Sequence, residues 1–164
     1  MIEMKVFGLA LDEESQVPVL ILKDMEEKAV LPIWIGAMEA MAISLALNDV
    51  KLPRPMTHDL LLRLVEALDA QVVSVNVTSL SEGTYYAEIE LNVAGDTRRV
   101  DSRPSDAIAL ALRARAPILV AEPVLEQVAK ESKDASVVAF SSADAEKWTE
   151  ILEKFDLDDA KYKM

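Results

Sequence analysis

The sequence predicts an α+β fold in which two three-stranded β-meanders form mostly antiparallel or mixed sheets, with helices packed on them. Three observations lead to this prediction. Apolar and polar residues alternate in short runs, polar turns separate these runs, and stretches with a helical period follow each group of three. Short turns favour antiparallel neighbours, because parallel strands need a long crossover connection.

The first half of the chain contains three predicted strands followed by two predicted helices. The strands span residues 2–11, 17–23 and 29–35, and the helices span residues 36–47 and 57–68. Pro18 fits a strand start or an edge strand, because proline has no N–H to donate to a neighbour. We expect each helix to bury one apolar stripe. These stripes are Met38, Met41, Ala42 and Leu45 in the first helix, and Leu61, Leu64, Val65 and Leu68 in the second.

The second half repeats this order of elements. Strands are predicted at 72–80, 85–93, 97–101 and 117–120, and helices at 104–114, 123–130 and 143–155. Placing Gly36 over Arg103 aligns Glu39 with Asp106, so that both acids lie in the first turn of a helix that leaves a third strand. We therefore expect an internal duplication. We also expect one domain over residues 1–131 and a C-terminal helical extension over 132–164 packed on it.

Composition indicates a single domain with an aliphatic core. The chain has 164 residues, of which 51% are hydrophobic and 5% aromatic. No apolar run reaches the roughly 20 residues of a membrane span, and the N-terminus lacks the pattern of a signal peptide. The absence of cysteine excludes disulfides and thiolate metal sites. We expect a cytoplasmic protein that does not associate with membranes.

The charge argues against tight binding to nucleic acid. The net charge is −12, and residues 1–131 alone hold 21 acids and 12 bases. Tight nucleic-acid binding usually relies on a basic surface. Residues 98–115 are the one basic stretch, with five arginines against two acids. Nucleic acid is expected there, unless Arg113 and Arg115 instead complement the C-terminal end of their own helix.

Two Arg-Pro steps stand at predicted helix starts. Arg54-Pro55 precedes Asp59, and Arg103-Pro104 precedes Asp106. Proline suits a first helical turn, and an acid complements the positive end of the helix dipole. An arginine at that end needs a carboxylate partner or an anionic ligand. Either the two arginines bind a ligand, or they pair with Asp106, Asp59 or Glu39 and tie the helices to the sheet.

These segments resemble the bifunctional nuclease family of bacteria and plants, which is credited with DNase and RNase activity. The likeness covers roughly residues 1–130, whereas 132–164 does not look like the further C-terminal module of some relatives. The matching residues are Leu31-Pro32-Ile33-Trp34-Ile35-Gly36 with Glu39, Arg54-Pro55-Met56-Thr57-His58-Asp59-Leu60-Leu61, and Asp101-Ser102-Arg103-Pro104-Ser105-Asp106-Ala107-Ile108-Ala109-Leu110-Ala111. The resemblance implies a nuclease that cleaves RNA or DNA with low sequence specificity.

Metal-assisted phosphodiester hydrolysis needs carboxylates for Mg²⁺ or Mn²⁺ and cations for the phosphate. His58, the only histidine, suits a general base, a phosphate ligand or a metal ligand. The candidates divide by role. They are His58, Asp59 and Asp106 for catalysis, Arg54, Arg103 and Ser105 for substrate binding, and Glu39, Asp101 and Asp106 for a metal.

A second hypothesis is a non-catalytic interaction or regulatory module that assembles into a homo-oligomer, with a dimer favoured. It rests on the acidic composition and on the high aliphatic content. Self-association is expected with either hypothesis, because the edge of a meander such as 17–23 invites packing between copies. An open pocket of arginines and acids would favour the nuclease, and buried ion pairs would favour the module.

Overall fold

The computed structural model describes residues 1–134, which form seven strands and four helices. The predicted helix at 143–155 lies outside the described residues. The strands are β1 Ile2–Leu11, β2 Pro18–Asp24, β3 Val30–Trp34, β4 Ala70–Ser81, β5 Thr84–Val93, β6 Asp96–Ser102 and β7 Ile118–Val120. The helices are α1 Ala37–Leu47, α2 Thr57–Ala67, α3 Pro104–Ala114 and α4 Glu122–Asp134. The predicted α+β class is confirmed.

The seven strands form one mixed sheet in the order β3-β2-β1-β7-β4-β5-β6. Each predicted meander is present, and every pairing within a meander is antiparallel. The short strand β7 joins the two meanders, since it pairs antiparallel with β1 and parallel with β4. The order of elements is the same in both halves, but an internal duplication is not confirmed.

Two-residue turns fix the register of the second meander. Glu82-Gly83 links β4 to β5 and Ala94-Gly95 links β5 to β6, and all four residues have positive φ. Positive φ at both central residues is typical of the type I′ turn, whose twist matches that of the flanking strands. Glycine adopts this conformation without steric cost. These turns therefore favour the antiparallel pairing of neighbouring strands.

The sheet is strongly curved. The Tyr85 hydroxyl at the start of β5 donates to the Pro32 carbonyl of β3 at 3.2 Å. These strands are five positions apart in the sheet, which corresponds to about 24 Å in a flat sheet at ordinary strand spacing. One tyrosine side chain closes this gap only because the sheet curls its two ends towards each other. Residues from both meanders share one aliphatic core, which includes Leu20, Leu22, Val75, Val77, Ile108 and Leu110.

Helices α1 and α2 are rotated from the predicted orientation. In α1 the buried residues are Ala40, Ile43 and Ser44, and Met38 is 75% exposed. No residue of α2 is fully buried, and Leu61, Leu64 and Leu68 of the predicted stripe are exposed. Leu62 packs against the core instead. The stripes were only partly correct, since Met41, Ala42 and Leu45 of α1 and Val65 of α2 are partly buried. Polar contacts at the helix starts, described below, help to set which face turns inward.

The sheet edges also differ from the prediction. Strand β2, which was expected to offer an edge at 17–23, is flanked on both sides by β1 and β3. Pro18 is its first residue, as expected for a strand start. The two edge strands of the described sheet are β3 and β6. Within residues 1–134, no helix has both the length and the apolar character needed to span a membrane.

Candidate functional site

The candidate site lies where the first turns of α1, α2 and α3 meet. Arg103 is the N-cap residue of α3, and Pro104 is its first helical residue, as expected. The Arg103 guanidinium donates from Nε to Asp106 Oδ2 at 2.7 Å and from Nη1 to Glu39 Oε1 at 2.9 Å. This arginine therefore joins the start of α3 to the start of α1. For Arg103, these contacts match the expected alternative in which the arginine takes carboxylate partners.

His58 completes this cluster from the first turn of α2. Its Nε2 lies 3.0 Å from Asp106 Oδ1, whereas Oδ2 accepts from Arg103. The two oxygens of Asp106 therefore contact two different side chains. An ionised carboxylate can only accept hydrogen bonds. We therefore assign the ring proton to Nε2, which leaves Nδ1 as the acceptor of the neutral imidazole. The His58 side chain is 13% exposed, and Arg103 is 65% exposed.

The environment of Asp106 keeps it ionised. Partial burial alone would raise the pKa of this carboxyl group, but hydrogen bonds from Arg103 and His58 and the nearby positive charge outweigh that effect. Its pKa consequently lies below the ordinary value of 3.8. The same contact raises the pKa of Arg103, chiefly through the hydrogen bond to Asp106. The pair is charged at neutral pH.

A second ion pair fixes the start of α2. Arg113 donates from Nε to Asp59 Oδ1 at 2.6 Å, and Asp59 Oδ2 accepts from the Met56 backbone N–H at 2.8 Å. Burial alone would raise the pKa of Asp59, but the hydrogen bonds from the Met56 N–H and Arg113 together lower it by more. The pKa of Asp59 therefore lies below the ordinary value of 3.8. Arg113 is only 10% exposed. Both oxygens of Asp59 thus have partners within the protein.

Sequence reasoning did not place Arg113 at this site. Its guanidinium also donates from Nη1 to Ala109 O of α3 and from Nη2 to Ala42 O of α1. The bond to Ala109 ties Arg113 to its own helix, but at a carbonyl in the middle of α3 and not at the expected C-terminal end. The pairing with Asp59 joins residues 54 positions apart, and no local sequence signal indicates it. Arg113 therefore connects α1, α2 and α3 to one another.

Gly36 makes room for the Glu39 side chain. Gly36 is the N-cap of α1, and its φ of −74° is open to any residue. A Cβ at this position would collide with Oε2 of Glu39. The carboxylate of Glu39 therefore folds back over Gly36 while Oε1 accepts from Arg103.

The remaining predicted residues lie apart from this hydrogen-bond network. Arg54 is exposed in the segment before α2 and makes no ion pair or hydrogen bond with the described part of the chain. Pro55 precedes the N-cap residue Met56, so it lies just outside the helix it was expected to open. Ser105 is buried in the first turn of α3. Asp101 is exposed on β6, opposite Glu88 of β5.

Across residues 1–134, no three histidine or acidic side chains lie together in a group that could hold a metal ion. The Arg103 guanidinium bridges Glu39 and Asp106, two of the predicted metal ligands. In this arrangement the positive charge between the two acids is supplied by the Arg103 guanidinium. Metal binding by Glu39, Asp101 and Asp106 stays a prediction.

Most arginines of the basic stretch at 98–115 are paired with carboxylates. Arg99 pairs with Glu90 at 3.3 Å, and Arg98 lies 3.7 Å from Asp96. Arg103 and Arg113 carry the ion pairs described above. Arg115 closes α3 in the left-handed conformation with φ of 55°. The exposed Arg103 keeps three N–H donors beyond the two it uses here, which leaves it able to bind an anion.

The fold and the site define a small α+β domain with a His-Asp-Arg cluster at converging helix starts. A sequence profile of the bifunctional nuclease domain matches residues 20–133, and the chain belongs to this family. An uncharacterized protein of Mycobacterium tuberculosis is 38% identical over 163 residues, which span 97% of this chain and 98% of the relative.

Plant relatives match a shorter part. Bifunctional nuclease 2 of Arabidopsis thaliana is 33% identical over 93 residues, which span 55% of this chain and 28% of the relative. Bifunctional nuclease 1 of Oryza sativa subsp. japonica is 33% identical over 106 residues, or 62% of this chain and 32% of the relative. The similarity to proteins named as nucleases therefore concerns about a third of their length.

Proposed function

We propose that this chain is a nuclease that hydrolyses phosphodiester bonds of RNA or DNA with low sequence specificity. The observation that carries the proposal is the His58–Asp106 pair at 3.0 Å beside the exposed Arg103. A histidine oriented by a carboxylate is a frequent general base, and an arginine is suited to phosphate. Membership of the bifunctional nuclease domain family supports the same activity.

In this proposal His58 accepts a proton through Nδ1 while Nε2 remains bonded to Asp106. The proton comes from the attacking hydroxyl group or water, whose oxygen forms the new bond to phosphorus. Asp106 holds the ring and stabilises the imidazolium that forms, as a carboxylate does beside a catalytic histidine. The proton then moves to the leaving oxygen as its bond to phosphorus breaks.

Arg103 and Arg54 are the proposed phosphate ligands. Arg103 is fixed by Glu39 and Asp106, so its free N–H groups are presented in one orientation. Arg54 lies four residues before His58 and has no carboxylate partner among the described residues. An anionic phosphate supplies the partner that this exposed arginine lacks. Asp59 is proposed to act indirectly, by fixing the helix start that carries His58.

The test is cleavage of single-stranded RNA and DNA by highly purified protein, with Mg²⁺, with Mn²⁺ or with a chelator. His58→Ala and Asp106→Ala are prepared identically, and Lys28→Gln is the control because Lys28 lies between β2 and β3, outside both the cluster and the basic stretch at 98–115. We expect each site variant to lose activity by about 100-fold or more, as for removal of a general base. A cooperative thermal unfolding transition above the assay temperature shows that each variant remains folded.

Equal cleavage by all four proteins would contradict the proposal, since it would indicate a contaminant or another site. The chelator arm separates activity that depends on a divalent cation from activity of the side chains alone. It thereby tests the predicted use of Mg²⁺ or Mn²⁺ independently of the His58 variant.

A second candidate function is a homo-oligomeric interaction module. The observation that favours it is a row of exposed leucines on α2, at positions 60, 61, 64 and 68. Contiguous exposed apolar surface marks interaction sites in soluble proteins. Absence of cleavage under every condition, together with a stable oligomer in solution, would favour this function.

A further inference from the structure

A cavity separate from the His58 cluster opens between α1, the loop after it, α2 and the end of α3. Its volume is about 480 Å³, within the range of small-molecule sites. Asp59 and Arg113 are part of its lining, whereas His58, Arg103 and Asp106 are not. The cavity therefore lies beside the second ion pair, away from the groups proposed to carry out cleavage.

The cavity collects positive charge in an acidic protein. Its lining includes the bases Lys51, Arg63, Arg113 and Arg115 and the acids Asp49, Asp59 and Glu66. Asp59 is already neutralised by Arg113 at 2.6 Å. Lys51, Arg63 and Arg115 make no ion pair or hydrogen bond within the described residues. Three cationic side chains without an ion pair or hydrogen bond thus line one cavity, where the acidic side chains of Asp49 and Glu66 also have none within the described residues. The charge of Arg63 additionally lowers the pKa of Asp59.

The rest of the lining is apolar. Leu45 of α1, Leu62 of α2 and Leu112 of α3 contribute to the walls, together with Val50 and Leu52 of the loop. Sites for organic ligands combine such walls with a few polar groups that fix orientation. The fork of an arginine matches the oxygens of a phosphate group. A ligand that satisfies both parts carries a phosphate at one end and a compact apolar or planar body at the other.

We propose that this cavity binds a small organic phosphate of the phosphate monoester class, with Arg63, Arg115 and Lys51 on the phosphate. The proposal does not depend on the cleavage proposal, because it concerns different residues and is read by binding alone.

The experiment is calorimetric titration of the full chain with adenosine monophosphate as probe, beside inorganic phosphate and adenosine. We expect adenosine monophosphate to bind more tightly than either control, because only it fills both parts of the cavity. Arg63→Gln and Arg115→Gln should each weaken binding about 10-fold, the loss expected for one charge-assisted hydrogen bond. Arg98→Gln, a change of the same type on β6, should leave the affinity unchanged.

Three results would overturn the proposal. The first is that adenosine monophosphate does not bind at millimolar concentration, and the second is that inorganic phosphate binds as tightly as adenosine monophosphate. The third is that Arg98→Gln weakens binding as much as Arg63→Gln and Arg115→Gln do. The His58→Ala variant separates the two sites. Binding that survives in His58→Ala and weakens in Arg63→Gln supports the cavity, whereas the reverse pattern would place the probe at the His58 cluster and refute it.

Discussion

Asp106 binds two partners through its two oxygens, and both interactions depend on its charge. Oδ1 faces His58 and Oδ2 faces Arg103, so the carboxylate links the start of α2 to the start of α3. Asparagine has a similar shape, but one of the two oxygens is replaced by an NH₂ group, which donates and does not accept. The side chain can therefore not accept from Arg103 on one side and from His58 on the other. The contribution of this charge to folding can therefore be measured by varying pH.

We expect the advantage of wild type over Asp106→Asn in unfolding free energy to disappear in acid. The pKa of Asp106 is lowered in the folded state, so its stabilising contribution is complete above the ordinary value of 3.8. The contribution is lost as pH falls through the lowered folded-state value. Urea unfolding of both proteins between pH 7 and acid conditions measures the difference, and a constant difference over that range would contradict the assignment.

Gly36 offers a second test at the scale of single residues. Gly36→Ala displaces the Glu39 carboxylate and places a poor N-cap residue on α1, so we expect a loss of about 1 kcal/mol. Gly8→Ala is the matched control, because a Cβ at Gly8 meets no atom within 4 Å. Thermal unfolding measures both changes. If Gly36 acts through Glu39, Gly36→Ala lowers stability less in a Glu39→Gln background than in the wild type. Losses of stability that simply add in the double variant would contradict this link.

The sequence offered Asp106 and Glu39 as possible partners of Arg103, but it did not indicate the partners of His58 and Asp59. Proline and acid at the helix starts are local signals, and they pointed to Arg103 and Asp106, which are hydrogen-bonded to each other. The contact between His58 and Asp106 spans 48 residues, and that between Asp59 and Arg113 spans 54. Such pairs depend on how helices pack, which no local pattern encodes. Arg54 and Asp101 share the same local signals, yet neither joins the network.

At the scale of elements, α2 is oriented by its polar start. His58 and Asp59 face α3, and Leu62 follows on the inward side one turn later. The leucines of the predicted stripe consequently turn outward. Strand and helix limits could be predicted to within a few residues, because periodicity and turn residues are local. The rotation of α2 could not, because leucines occupy both of its sides.

Arg113→Met tests the connection among the three helices. Methionine matches the stem of arginine up to Nε but lacks the guanidinium, so Asp59 loses its ion-pair partner and the Ala42 and Ala109 carbonyls each lose a donor. We expect a loss of about 2 kcal/mol, less than for a fully buried pair because Asp59 is partly exposed. Arg98→Met should change stability by less than about 0.5 kcal/mol. Chemical denaturation measures both, and similar losses would contradict a special role for Arg113.

At the scale of the whole molecule, the outward leucines of α2 predict self-association. Leu60, Leu64 and Leu68 recur every four residues and form one exposed row, which suits packing against the same helix of a second copy. We expect light scattering to give about twice the 18.1 kDa of one chain. Leu60→Gln with Leu64→Gln should shift the mass towards one chain while thermal unfolding shows a folded protein. A monomeric wild type would contradict this prediction.

The two meanders could be predicted from the sequence, but their union in a single sheet could not. Hairpin turns such as Glu82-Gly83 specify neighbouring strands, so each meander could be recognised locally. The pairing of β7 with β1 joins residues more than 110 positions apart, and three residues carry no register signal of their own. The order of the complete sheet therefore depends on tertiary packing.

The central position of β7 has a consequence for how the protein is synthesised. All six other strands leave the ribosome before residues 118–120, so both meanders can form while their inner strands still lack a neighbour. Until β7 emerges, β1 and β4 each present an open row of backbone groups that another nascent chain could pair with. Translation of this short segment therefore ends the period in which the chain is most exposed to misassembly.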